Sequence, residues 1–145
     1  MSKQWRLIWH GPNGKGECQA PDWDDFSDAL EALEACKEKE TYILELSQFD
    51  DSNLKGSMEV IAHGAMIIIN TLYDDEELMA SKVNTEPSED EEKHEFFYSQ
   101  SYVAIPTSRL MDVDTVKLVL RDFISTGKLP DSVYWKPSWD GIECY

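Results

Sequence analysis

The chain has 145 residues, 41% of them hydrophobic, with five Trp, six Tyr and five Phe, and is long enough to bury a core as one domain over residues 1–145. Thirteen basic residues against 29 acidic ones leave a net charge of −16 at pH 7, which argues against binding nucleic acid or an anionic membrane, since both need a basic face. The charge suits either a cationic partner or plain solubility.

WRLIW (5–9) is aromatic and branched and predicts a strand. GPNGKG (11–16) then turns the chain, and ECQA pairs back as a hairpin. The same stretch fails as a phosphate loop. Only two residues separate Gly11 from Gly14-Lys15, Gly16 stands where Ser or Thr belongs, and no helix follows at once.

In PDWDDFSDALEALEACKEKE, Asp22 and Asp24 are candidate N-caps, acids crowd the first turn, and Lys37 and Lys39 fall in the expected last turn. Phe26, Ala29, Leu30, Leu33 and Cys36 recur at three and four, an apolar stripe on one helix face. Cys36 on that stripe reads as a buried, inert thiol. Cys18, Cys36 and Cys144 form no CxxC pair, so neither a disulfide framework nor a zinc site is suggested, and a reducing compartment fits.

TYILELSQF (41–49) alternates Tyr42, Leu44 and Leu46 against Ile43, Glu45 and Ser47 and predicts a half-buried strand. DDSNLKG (50–56) reads as a turn. As a calcium loop it places Lys55 at a ligand position and Ala62 where the bidentate glutamate belongs. MEVIA (58–62) and AMIIINTL (65–72) flank His63-Gly64, a two-residue hairpin connection. Ile67, Ile68 and Ile69 in succession predict a central strand covered on both faces. LMASKV, EFFYS and YVAIP supply further strands.

Asp112 is an N-cap for MDVDTVKLVLRDFISTGKLP, whose Val113, Val116, Val119, Leu120, Phe123 and Ile124 form an apolar helical face. Gly127 stands at the left-handed C′ position and Pro130 prevents resumption. VYWKPSW closes the chain with a short strand carrying Trp135 and, beyond it, Trp139. Two principal helices packed on a mainly antiparallel sheet of about six or seven strands make an α+β layer fold.

No GxSxG or HExxH occurs. His10 and His63 are assigned to turns, and EEKHE (91–95) has His94 but no second histidine for a metal. The chain reads as a non-enzyme without a cofactor, cytoplasmic because MSKQWRLIWH lacks the apolar core of a signal peptide. Its outlying feature is acidic. Asp74, Asp75, Glu76 and Glu77, with the six acids between Glu86 and Glu95, make ten carboxylates against Lys82 and Lys93, a net of −8. Both groups flank one predicted strand, so a hairpin could bring them to the same sheet edge. There they would steer a basic partner, guard an edge, or simply be solvated loops.

The run IPTSRLMDVDTVKLVLRDFISTGKLPDSVYW (105–135) resembles the closing segment of the type-1 immunity proteins of bacterial polymorphic toxin systems. Phe123, Thr126, Gly127, Pro130 and Trp135 occupy that family's Phe-x-x-Thr-Gly-x-x-Pro and strand-Trp places. The resemblance implies a cytoplasmic antidote that binds a cognate toxin domain, often a nucleic-acid deaminase, by occluding its basic cleft. On that reading Asp74, Asp75, Glu76, Glu77, Glu89, Asp90, Glu91 and Glu92 face the toxin. Trp139 either adds an anchor or folds onto the domain. The rival readings are an acidic accessory or regulatory protein of phage or stress origin with another basic partner, and a small enzyme using scattered carboxylates.

Overall fold

Alternation of large apolar residues along paired segments builds the sheet. The computed structural model describes residues 3–12, 14–19, 21–85, 90–98, 101–138 and 142–144. β1 (Lys3–Gly11) and β2 (Gly14–Gln19) form an antiparallel hairpin that closes where Gly11 pairs with Gly14, so the turn expected over GPNGKG narrows to residues 12 and 13, and Gly14, Lys15 and Gly16 belong to β2. The Trp9 indole lies over Gly16, where an added Cβ would come within 2.4 Å of its Nε1. Only glycine fits beneath that ring.

β3 (Thr41–Asp50), β4 (Asn53–His63), β5 (Met66–Tyr73) and β6 (Glu76–Ser81) continue as a meander. With β9 (Tyr134–Pro137) they complete a seven-stranded antiparallel sheet in the order β2-β1-β3-β4-β5-β6-β9. Its tight turns are two residues long. Asp51-Ser52 and Asp74-Asp75 hold left-handed backbone (φ 48, 71, 53 and 63°), the conformation that matches the twist of paired strands. The turn expected over 50–56 is thus confined to Asp51-Ser52, and Asn53 to Gly56 belong to β4. The next connection is shifted by one residue. His63 pairs with Met66, leaving Gly64-Ala65 as the loop with Gly64 at φ 63°. His10 likewise lies on β1, opposite Lys15 and Ile43, rather than in a turn.

One face of the sheet carries both helices. A 3₁₀ turn over Trp23–Phe26 leads into α1 (Ser27–Glu34). Asp22 caps that turn by accepting from the Asp24 amide (3.0 Å), while Asp25 accepts from the Asp22 amide (2.8 Å). The helix ends short of the expected lysines. Lys37 and Lys39 lie past its C-cap Ala35, the Glu40 carboxylate accepts from the Lys37 amide (2.7 Å), and Lys39 adopts φ 69°. Reversing the chain into β3 at Thr41 takes those residues out of the helix. α2 (Val113–Thr126) keeps its predicted punctuation. Asp112 accepts from the Thr115 amide (2.7 Å), and Gly127 at φ 72° donates to the Phe123 carbonyl (2.8 Å). Leu30 and Leu33 of α1 and Val116, Val119, Leu120 and Phe123 of α2 bury against Leu7, Tyr42, Leu44, Leu46, Val60, Ile67 and Ile69. Tyr42 donates its hydroxyl to the Ala29 carbonyl (2.7 Å), tying β3 to α1. Trp135 packs on this core from β9 and donates to the Pro130 carbonyl (2.8 Å).

The opposite face meets a smaller antiparallel sheet of β7 (Lys93–Tyr98), β8 (Ser101–Pro106) and β10 (Glu143–Cys144), in the order β10-β8-β7. Phe96, Val103 and Ile105 bury against Ile61, Ile68 and Met79. Ile68 thus faces this second core while Ile67 and Ile69 face the helices, which accounts for the three consecutive isoleucines. The fold is α+β, with two helices on one side of the large sheet and a small sheet on part of the other.

Candidate functional site

The acidic segments occupy opposite ends of one strand. Asp74 and Asp75 form the β5–β6 turn, and Glu76 and Glu77 open β6 opposite Tyr73 and Leu72. All four are exposed. Asp90, Glu91 and Glu92 precede β7 and are fastened elsewhere. Ser108 Oγ donates to the Glu91 carboxylate (3.0 Å), and the Thr107 amide donates to the Glu92 carbonyl (3.0 Å). The Ser108 carbonyl in turn accepts from the Lys82 amide (2.8 Å), just past the end of β6. β6 therefore separates the two groups by roughly 17 Å of strand rise, and they do not share the edge that hairpin geometry suggested. Glu89 and Trp139 lie outside the described residues. His94 shares a hydrogen bond with Thr107 Oγ1 (2.9 Å), which gives it a place in the same loop junction.

A second acidic feature was not visible along the chain. On the outer face of the large sheet, Glu45 of β3 stands directly opposite Glu59 of β4, and Glu59 opposite Asn70 of β5. Glu77 and Tyr98 close the group into a trough of about 200 Å³. Ser47 Oγ donates to Glu45 (3.0 Å). The Asn70 Oδ1 is buried without a hydrogen-bond partner. Burial first, and then the neighbouring Glu45, raise the Glu59 carboxyl above its ordinary value. Burial also raises the Tyr98 phenol, with Glu59 and Glu77 adding to it. The three glutamates and Asn70 come one each from the successive strands β3 to β6, where pairing register aligns them, and Tyr98 reaches them from the small sheet.

The raised Glu59 carboxyl has a definite consequence for stability. A group that holds its proton more tightly folded than unfolded weakens the fold when ionised, and that cost disappears as pH falls through the raised value to the ordinary glutamate range. Glu59→Gln is expected to raise the melting temperature slightly at pH 7, with the gain over wild type shrinking under acidic conditions. Thermal unfolding of both proteins across pH 3.5–7.5 checks this; a lower melting temperature for the variant at pH 7 would contradict it.

Elsewhere, His63 sits among Phe96, Phe97 and Tyr102, with ring centroids 5.9 to 6.3 Å apart. Cys36 is half-buried against the helix-side core, and burial pushes its thiol up, away from the reactive thiolate. Arg109, on the 3₁₀ turn after β8, is fully buried and was not singled out by any periodicity. Among the described residues, no three His, Cys, Asp or Glu side chains are grouped to hold a metal ion, and no helix is long and apolar enough to cross a membrane.

Comparison with curated proteins returned no match. The family model of the immunity protein Imm1 matches residues 14–137. That span runs from the first residue of β2 to the last of β9 and takes in both helices. It also contains Phe123, Thr126, Gly127, Pro130 and Trp135, which carry the helix stop and the Trp-bearing strand. The chain belongs to the Imm1 immunity protein family.

Proposed function

We propose that the chain protects its producer by binding a cognate toxin domain stoichiometrically, without turnover of its own, in the cytoplasm where the toxin would act. The partner class that its charge fits is a nucleic-acid-modifying toxin, with a deaminase as the leading case. A protein that grips phosphates needs a basic cleft, and an acidic domain can occupy that cleft in place of the nucleic acid. The observation that carries this reading is the −16 charge on a member of an immunity family. Much of that charge is exposed at Asp74, Asp75, Glu76, Glu77, Asp90 and Glu92. Charge would govern encounter and orientation, while packed contacts would govern how long the complex lasts. Glu89 and Trp139, outside the described residues, are proposed as further contacts to the toxin.

Co-expression tests the proposal. A toxin domain from a gene found beside this one, expressed in a sensitive host, should arrest growth alone and fail to do so beside this chain. The two proteins should co-purify in equal amounts. A toxin that kills at the same rate in its presence, or a small-molecule product made by the purified chain, would reject the reading.

A further inference from the structure

The two faces of the large sheet are covered unequally. The helices close one face, and on the other the small sheet lies over Ile61, Ile68 and Met79. Among the described residues the outer face stays open beyond that patch, with Ile43 43% exposed, Leu54 49% and Leu72 37%. Register places these residues around the trough. Ile43 lies one pleat to one side of the Glu45–Glu59 pair. Leu72, paired with Ser57, lies one pleat to the other side, and Leu54 lies beyond it, opposite Phe49. The result is an acidic centre flanked by exposed aliphatic side chains, the plan of a protein interface with a polar anchor point.

We infer that this open face is the toxin-docking surface, and that an arginine side chain of the toxin enters the trough between Glu45, Glu59 and Glu77 while Ile43, Leu54 and Leu72 meet apolar surface around it. The inference rests on the immunity reading and specifies its surface. Three carboxylates line the trough beside the Asn70 Oδ1, which is buried without a donor, while Ser57, Thr71, Tyr98 and Ser138 add hydroxyls. A guanidinium offers five N–H groups in one plane and can satisfy several acceptors at once, which suits this set better than the compact ammonium of lysine. Two of the protein's own cations on this face are directed elsewhere. Lys136, aligned with Met79, donates to the Asn84 carbonyl (2.6 Å), and the Arg6 guanidinium lies over the Phe49 ring at 5.2 Å.

Charge also selects the kind of occupant. A second copy of this chain would set carboxylates against carboxylates with −16 on each side, and nucleic acid would be repelled. A basic protein surface is complementary. Its arrival would relieve the mutual repulsion of Glu45 and Glu59, which the free protein carries at a cost in stability. The trough is also continuous with the β5–β6 turn through Glu77, so the Asp74–Glu77 segment would guide the toxin onto the same face. The Asp90–Glu92 segment, at the far end of β6, stands apart from it.

The test separates this surface from the immunity function itself. Binding to the toxin domain identified by the co-expression test would be followed by surface plasmon resonance for wild type and variants. Glu45→Gln with Glu59→Gln, and separately Ile43→Asp, should speed dissociation by at least about tenfold. The double variant should melt no lower than wild type, which removes misfolding as a cause. Leu118→Asp, on exposed α2 surface of the helix side, should dissociate at the wild-type rate. If wild type binds and protects while the double variant and Ile43→Asp both dissociate like wild type, the docking surface is wrong and the immunity reading stands. If wild type neither binds nor protects, both fall.

Discussion

Phe123→Ala is expected to cost roughly 3–5 kcal/mol of unfolding free energy. Phe123 is fully buried on α2 and meets rings from two strands. Trp5 of β1 lies edge-on at 5.2 Å, and Tyr73 of β5 at 6.3 Å. Such edge-to-face pairs add to the area buried. The space left by alanine would be hard to refill. Tyr73 is held by its hydroxyl bond to the Gly127 carbonyl (3.0 Å), and the Gly127 amide is bonded back to Phe123 itself. The walls are thus parts of the sheet and of the helix terminus, and they collapse only at the expense of those bonds. In a domain of this size the loss corresponds to a fall in melting temperature on the order of 10 °C. Denaturant unfolding with an unchanged m-value would report it. A loss under about 1 kcal/mol would mean that Phe123 is not an anchor of the core.

The second large effect concerns the rate of toxin capture. Changing Asp74, Asp75, Glu76, Glu77, Glu89, Asp90, Glu91 and Glu92 to their amides should lower the association rate at low salt by on the order of 10- to 1,000-fold. Asparagine tolerates the left-handed backbone that Asp74 and Asp75 adopt, so the β5–β6 turn should survive the change. Melting temperature should hold or rise, because like charges are being removed from an acidic protein. The difference between wild type and variant should narrow as salt is added. Because β6 holds the two groups roughly 17 Å apart, about twice the Debye length of ~8 Å at physiological ionic strength, each group should act nearly independently there. Stopped-flow association at two salt concentrations, with each group neutralised alone and then together, measures this. Equal association rates for wild type and the full variant would identify the segments as solvated loops with no part in capture.

What could be read along the chain is what is local in sequence. The second helix could be read directly. Asp112 and Gly127 close the two ends of the apolar face that runs to Ile124 through bonds spanning three or four residues, to Thr115 and Phe123, and those bonds are present in the structure. The β3 alternation and the triple isoleucine were legible for the same reason, since a strand's pleat assigns faces residue by residue. The end of α1 was not, because Lys37 and Lys39 follow the requirement to enter β3 rather than their own helix preference. The β4–β5 turn moved by one residue when His63 found Met66 as its partner.

The acidic character of the protein is written in its composition, but the arrangement of that acid is not. Counting charges located Asp74–Glu77 and Asp90–Glu92, while the length of β6 and the docking of Glu91 and Glu92 at Thr107 and Ser108 placed them apart. Glu45, Glu59, Asn70 and Glu77 lie on four strands and become neighbours only through pairing register, and the small sheet decides how much of their face remains open. Caps, periodicity and net charge are determined within a few residues or by simple addition. The open face and its trough depend on which strands pair and in what register, and tertiary packing alone sets those.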